Sequence, residues 1–405
     1  MKDRARQGAS SRRSHLGRLL VAFQVALSVV LLVGASLFLR TLRNLYAVDA
    51  GFRSGQVMIV SLQMLPSTYD RPVPHPVRMA VWDRLLTGVR ALPGVQSAGL
   101  SAMTPLDGSG RGIYLDVPGY VRPSDEDGRI SLNTVSEDYF ASLGTRIIGG
   151  RDLGRGDGLG APAVALLNQS AARHFFDRRD PIGTIVKPNE YSYRIVGIVA
   201  DVKHKGLREE AGRFIYVPFR QPMDRGLAMT LSIRTFAGSG PPIAAIQRLV
   251  RDIGPDILVT RTDTLARQVD ESLLTERVVS LLASAFGALA LALSAIGLYG
   301  VLAYSVSRET PEIGIRMALG AEPGQVARGI LGQTLWLVTA GLAAGIPASV
   351  FLARMGERLL FGVTPSDAIT QAGVAMLLLC VCIAASLVPA LRAARIAPSI
   401  ALRSE

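Results

Sequence analysis

The chain has 405 residues, of which 49% are hydrophobic and 19% charged, and carries a formal net charge of +12. Residues 1–43 hold eight basic side chains against one acidic, 44–276 hold 27 against 25, and 277–405 hold nine against six. The basic excess sits mainly beside the first apolar segment, so it reads as a membrane-topology signal with a secondary role at anionic lipid, and a nucleic-acid-binding protein is excluded.

In chain order, residues 1–18 form a basic tail, with Lys2, Arg4, Arg6, Arg12, Arg13 and Arg18 against Asp3. Leu19 to Leu39 carries no Asp, Glu, Lys or Arg. A spanning helix needs about 20 apolar residues, so 19–39 is transmembrane helix 1. The run is longer than a signal-peptide core and is followed by Arg40 and Arg43 rather than a small-residue cleavage site, which makes it a retained anchor.

Residues 40–277 read as a folded extracytoplasmic domain of two subdomains. Gln56–Met64 alternates as a strand, Val77–Leu92 has helical spacing, and Val95–Met103 is strand-like again. The same order recurs at Leu227–Arg234, Ile243–Ile253 and Ile257–Thr262, with Pro93-Gly94 and Gly254-Pro255 as turn signals. Two βαβ-like units give an α+β subdomain. Between them, about 121–221 is β-rich, with strands at Ile130–Ser136, Ala163–Asn168, Tyr193–Val202 and Phe214–Phe219, and reads as an inserted second subdomain.

No enzymatic constellation emerges from this domain. The four histidines (His15, His75, His174, His204) are scattered, and His204, between Lys203 and Lys205, reads as part of a solvated loop rather than a metal ligand. Gly154–Gly158 lacks the strand–helix context of a phosphate loop, and Arg155-Gly156-Asp157 and Asn168-Gln169-Ser170 are chance matches to an adhesion tripeptide and a glycosylation sequon. Nothing matches GxxxxGK[ST], so the chain binds no cofactor by this reading and any ATPase is another chain.

Three further charge-free runs follow: Val278–Val306, Gly329–Ala353 and Ala368–Leu391, taken as transmembrane helices 2, 3 and 4 (278–306, 329–353, 368–391). The loop 307–328 and the tail 392–405 are Arg-bearing, whereas 354–367 has only Arg354 and Arg358, so both termini and the second loop are expected in the cytoplasm. The fold class is therefore an α-helical membrane protein with four transmembrane helices (1+3) and a large α+β extracytoplasmic domain between helices 1 and 2. Spans without Asp, Glu, Lys, Arg or His do not suit ion-coupled carriers. Gly341 and Gly345 form a GxxxG, and Gly287, Gly297 and Gly300 dot the second span, the signature of close helix packing against another copy or a partner, or of ordinary glycine use. Pro347 is expected to kink the third span. Cys380 and Cys382, the only cysteines, stand two apart on the fourth helix and cannot pair within it.

The inner loop is the most specific stretch. Thr310 suits a helix N-cap, Pro311 the first helical position, and Glu312 the positive end of the dipole. Glu312 and Arg316 stand four apart, Ile313 and Met317 share a face, and Gly320 suits a helix end. A short amphipathic helix results, either lying on the membrane or inserting into a partner's groove.

Glu312–Ala321, EIGIRMALGA, resembles the signature loop of the FtsX-like ABC-transporter permease family, to which MacB belongs. Pro389–Arg395 and Ala401–Arg403 are similar to how that family ends. The large domain resembles the MacB-type periplasmic core at Glu137–Phe140, Gly150–Asp152, Asp180–Gly183 and Val196–Val202. Gln24–Ser28 resembles the opening of the second unit of acidobacterial-type duplicated permeases; one unit here is half of a longer product or a stand-alone half that dimerises.

The resemblance implies an inner-membrane permease that transmits movement. A cytoplasmic ABC ATPase would dock on a coupling helix comprising Glu312, Ile313, Gly314, Arg316, Met317, Leu319 and Gly320, a second permease unit would complete a dimer, and ATP would act only through the partner. Arg40–Tyr46 and Glu271–Val278 would form a stalk. Gly341, Gly345, Gly297 and Gly300 are the candidate packing positions. Three functions fit: an exporter; an FtsX-like transmitter acting on an extracytoplasmic hydrolase, or a lipoprotein-extraction permease; and an ATPase-independent receptor or anchor. A receptor needs a cytoplasmic output domain, and the chain ends at Glu405 soon after the last span. A periplasmic adaptor would accompany export, and a hydrolase would accompany transmission.

Overall fold

The computed structural model describes residues 2–65, 75–108, 110–124, 126–177, 179–189, 191–221, 227–240, 242–254, 256–319 and 322–394. The chain divides into two compact units, residues 1–47 with 275–405, and 48–274.

The first unit is helical: α1 (Lys2–Tyr46), α7 (Leu274–Ala318), α8 (Pro323–Met355) and α9 (Ala368–Ala394); the shorter helices between α1 and α7, the last of them α6 (Leu265–Ser272), belong to the other unit. Each contains a segment long and apolar enough to cross a membrane: Leu19–Tyr46, Leu274–Arg308, Arg328–Met355 and Ala368–Arg392. In hydrocarbon a helix is favoured because it satisfies its own backbone. Two clusters hold the bundle. Val21 and Val25 of α1 meet Leu298 and Leu302 of α7, Leu337 of α8 and Cys382 of α9, and Val29, Val33 and Leu37 meet Val374 and Leu378 of α9. α8 runs through Pro347 without ending.

The second unit is an α/β domain. β1 (Val57–Met64), α2 (His75–Arg90) and β2 (Val95–Ser101) are followed, after the insertion, by β10 (Ala228–Thr235), α5 (Ile243–Ile253) and β11 (Ile257–Thr264). These strands lie in the order β11-β1-β10-β2, with β1 antiparallel to both β10 and β11 and β10 antiparallel to β2. This is the split βαβ arrangement: β10 separates the two strands of the first unit. One face carries α2 and α5 over a core containing Trp82, Leu85, Leu86, Leu100, Leu231 and Ile246.

The insertion supplies β3 (Arg111–Asp116), β4 (Arg129–Val135), β5 (Ile147–Gly150), β6 (Val164–Asn168), β7 (Ile185–Pro188), β8 (Tyr193–Val199) and β9 (Phe214–Pro218), with short helices α3 (Tyr139–Leu143) and α4 (Gln169–Phe176). Its strands run β4-β3-β7-β8-β6-β9, and β9 pairs back to β4. The ring closes, leaving its six strands without a free edge. Inside it pack Leu115, Leu132, Leu167, Ile195, Ile215 and Phe175. The ring takes in β3, which lies before residue 121. Gly99 on β2 lets α3 sit against the sheet, because a Cβ there would come within 2.4 Å of the Tyr139 Cα.

The motif residues of this domain turn out to be architectural. Glu137 is buried and joins the two halves: Arg90 of α2 donates to its Oε1 at 2.9 Å and Arg220, after β9, to its Oε2 at 2.7 Å. Arg220 also binds Asp83 of α2. Burial opposes ionisation of Glu137, but the hydrogen bonds from Arg220 and Arg90 outweigh it and hold the carboxyl at about 2. Gly150 has φ +68 and lies so close to Val196 O that a Cβ would fall at 2.2 Å. Asp180 Oδ1 accepts from Ile182 N at 2.9 Å. Asp201 accepts from Ser170 Oγ at 2.7 Å and Asn168 Nδ2 at 2.6 Å.

Three loop expectations resolve the same way. Asn168 is fully buried; it caps α4 by accepting from Ala171 N, accepts from Phe214 N at 2.8 Å, and donates to Gly212 O at 2.7 Å, so its amide is engaged on every side and offers no glycosylation site. Asp157 is gripped by Arg151 through both oxygens, at 2.7 and 2.8 Å, so the carboxylate of the Arg-Gly-Asp triplet is already engaged within the fold. His204 corrects the solvated-loop reading. It is 2% exposed, stacks on Phe214 at 4.0 Å, and its Nδ1 donates to Thr104 O at 3.3 Å, leaving Nε2 to accept from the Tyr216 hydroxyl. The flanking lysines carry the solvation while the ring serves as a core group. Burial pushes its pKa down to about 4 against the opposing hydrogen bond to Thr104 and the field of Asp107.

Two outcomes follow, both readable from buried Trp82 in a Trp336→Phe background, since these are the only tryptophans. Asn168→Ala leaves buried donors and acceptors unpaired and should cost about 3 kcal/mol in denaturant unfolding. On acidification, the unfolded chain takes up a proton at its free imidazole before the buried His204 does, so stability should fall from pH 6.5 to about 4. Glu137 should continue the fall from pH 4.5 to about 2. His204→Leu should flatten the upper part of that profile; an unchanged slope there would contradict the assignment.

Candidate functional site

The candidate coupling segment is not a separate helix. α7 continues from Leu274 to Ala318 without a break, so Thr310 does not cap a new helix. Its Oγ1 donates to Val306 O, one turn back, at 2.8 Å. The reason is local: a mid-helix threonine can satisfy its hydroxyl on the i−4 carbonyl, and this back-bond competes with the capping geometry that the Thr-Pro pair otherwise favours. Pro311 then falls inside the helix, where it offers no N–H to the carbonyl of residue 307.

Glu312, Ile313, Gly314, Arg316 and Met317 all lie on this last stretch of α7. The ladder extends one residue further, Leu319 N donating to Ile315 O at 3.0 Å. Ile315 and Leu319 stand one turn apart with 51% and 83% of their surfaces exposed, a pair of large apolar side chains open to solvent or to another surface. Gly320 lies outside the described residues, as do Ala321 and the tail from Arg395 onward. α8 starts at Glu322-Pro323, with proline in the first turn as expected for a helix beginning.

The packing glycines behave differently from one another. Gly341 faces Val25 and the Ala22 carbonyl, at 2.6 and 3.0 Å from an added Cβ, and Gly345 faces Val29 and the Ala26 carbonyl at 2.7 and 2.9 Å. The GxxxG therefore seats α8 directly on α1 within one chain, where the sequence pattern pointed to another copy or a partner. Gly297 faces the Gln24 side chain of α1, whose Oε1 would be 2.3 Å from a Cβ, and Gly287 faces Leu32 and Ala35. Nothing approaches Gly300 within 4 Å.

Sequence reasoning missed the polar groups between α1 and α7. Ser28 Oγ donates to Ala290 O at 2.9 Å and lies 2.8 Å from Ser294 Oγ, both serines being buried. Ser280 Oγ donates to Phe38 O at 3.1 Å. Serine at these positions was legible, but its partners lie more than 240 residues away. Among the described residues, no group of three or more His, Cys, Asp or Glu side chains is placed to hold a metal ion.

Residues 19–253 match the MacB-like periplasmic core domain, and residues 284–398 match the FtsX-like permease C-terminal domain. Among curated relatives, the chain is 26% identical to the macrolide export ATP-binding/permease protein MacB 2 of Aeromonas hydrophila subsp. hydrophila, over 60% of this chain and 38% of that protein. It is also 26% identical to the MacB of Bradyrhizobium diazoefficiens, over 70% of this chain and 45% of that one. The chain thus spans under half the length of these relatives. Among solved structures, the periplasmic region of MacB from Actinobacillus actinomycetemcomitans is similar at 16% identity and a TM-score of 0.36, covering 56% of this chain and 95% of that one. The extracellular domain of the noncanonic ABC-type transporter YknZ from Gram-positive bacteria is similar at 15% identity and a TM-score of 0.34, covering 50% of this chain and all of that one. With the core-domain match covering more than half the chain and the permease match taking in α8, α9 and most of α7, the chain belongs to the MacB/FtsX-type family of ABC-transporter permeases.

Proposed function

We propose that this chain is the membrane permease subunit of an ABC transporter of the bacterial inner membrane, that a separate cytoplasmic ABC ATPase drives it through the end of α7, and that the outcome is export by rearrangement of the large domain on the periplasmic side. The carrying observation is the continuity of α7. Residues 312–319, the proposed ATPase contact, stand on the same unbroken helix that follows the large domain after Leu273. A helix of 45 residues has a path of about 68 Å, and its hydrogen-bond ladder resists compression and bending. A push at one end is then felt at the other without an intervening hinge loop.

The exposed Ile315 and Leu319 suit insertion into an apolar groove between ATPase lobes. No Asp, Glu, Lys, Arg or His lies in the apolar runs of the four spans, which supports drive by a partner over coupling to an ion. The basic tail, Arg316 and Arg328 support a cytoplasmic location for both termini and for the α7–α8 turn. Export, rather than transmission to a hydrolase, is favoured by the relatives' name as macrolide exporters. A second permease unit would pair with this one to present two coupling segments to a closing ATPase dimer.

The test is affinity purification of the full chain from its native membranes in mild detergent, with and without crosslinking. An ABC ATPase should co-purify, and Ile313→Asp should remove it while leaving membrane insertion unchanged. Recovery of the ATPase at an undiminished level with the variant would sink the coupling assignment, and its absence from the unmodified protein would sink the permease reading.

A further inference from the structure

The outer turn between α8 and α9 is tied to α1 by three polar side chains that lie within little more than one helical turn. Arg40 Nη1 binds the Asp367 carboxylate and donates to Thr370 Oγ1 at 2.9 Å. Asp367 in turn accepts from Thr370 N at 3.0 Å, so the acid that receives Arg40 also caps the first turn of α9. Thr41, 1% exposed, accepts from Phe361 N at 3.2 Å. Asn44 Nδ2 donates to the carbonyls of Phe361 and Gly362 at 3.2 and 2.9 Å. Gly362 adopts φ +64, and a Cβ there would come within 2.9 Å of Asn44 Nδ2, so the turn is shaped to admit this side chain.

Such a set is more than a surface ion pair, which on its own holds little. It fixes a loop backbone through one of its N–H groups and two of its C=O groups, and sits next to the packed cluster of Val33 and Leu37. Further along, Gly341 and Gly345 hold α8 against α1. By contrast less of α7 is buried within this chain than of the other three spans. Its polar contacts to α1 are single hydroxyl bonds.

We propose that Arg40, Thr41 and Asn44 form a latch that fastens the outer end of α1 to the α8–α9 turn, making α1, α8 and α9 one body against which α7 moves. The consequence for force transmission rests on the permease reading; the latch itself does not. Two predictions separate them, because the distance measurement below needs no ATPase.

The full chain, with Cys380 and Cys382 replaced by alanine, is spin-labelled at Arg43→Cys and Arg358→Cys and reconstituted in lipid nanodiscs for electron–electron distance measurement. A narrow distribution is expected. Arg40→Glu and Asp367→Arg should each lose it, as should the milder Asn44→Leu, and the charge swap Arg40→Asp with Asp367→Arg should restore it. Single reversals that leave the distribution narrow would overturn the latch. So would a folded double swap, as judged by Trp82 fluorescence, that stays as broad as the single variants. A second label pair, Leu281→Cys with Arg358→Cys, should be broader than the first in the unmodified protein; an equally narrow pair would overturn the loose placement of α7.

Discussion

An α-helix satisfies its own backbone, and in a bilayer nothing else will; the rest of this structure depends on how far that one ladder can run. In α7 it runs for 45 residues, past the end of the charge-free segment at Val306 and through Thr310-Pro311. Where a loop was expected, the Thr310 hydroxyl bonds to Val306 and the helix goes on. Under the proposed function, a loop between the span and the candidate coupling segment would absorb displacement that a continuous helix passes on. Pro311 is the one place where the ladder lacks a donor, so any bending of the rod concentrates there.

Stiffness is also the theme of the large domain. Its two halves, a split βαβ sheet and a closed six-stranded ring, are linked by a carboxylate that two arginines hold ionised. Burying Glu137 alone would raise its pKa and destabilise the fold; Arg220 and Arg90 reverse that, and Arg220 carries the link on to Asp83. Glu137 is the group that Arg90 and Arg220 share, so its loss would remove the link between the two halves and leave both arginines short of a buried partner. The interface is therefore brittle rather than yielding.

Much of this was legible in the sequence because it rests on local pattern. Charge-free runs of span length give four helices, and alternation with turn signals gives the strands on both sides of the insertion. What was not legible depends on distant partners. Arg40 and Asp367 are 327 positions apart, and neither spacing nor composition pairs them. His204 between two lysines looks solvated until Phe214 and Tyr216 are seen to enclose it. The GxxxG spacing carries no sign that α1 of the same chain is what Gly341 and Gly345 face. Thr310 illustrates the competition directly: the same hydroxyl can cap a helix or back-bond within one, and which it does is decided by whether the preceding turn is already helical.

The contrast between two kinds of contact in the bundle follows from the physics of lipid. Apolar side chains gain little by leaving hydrocarbon for one another, so what holds helices together there is close fit and polar bonding. The α1–α8 seam has close fit: with Gly341 and Gly345 against valine and backbone, displacement along the axis drives carbonyls and Cβ atoms into one another. The α1–α7 seam joins serine hydroxyls to Gly287 and Gly297, which face side chains of α1, and a hydroxyl can exchange one carbonyl for the next along a helix at modest cost. A pair of surfaces of the first kind keeps its register under load, while one of the second kind can shift. The helix that carries the candidate coupling segment thus meets α1 through serine hydroxyls and glycines set mainly against side chains, whereas α8 meets it through glycines set close against backbone carbonyls as well.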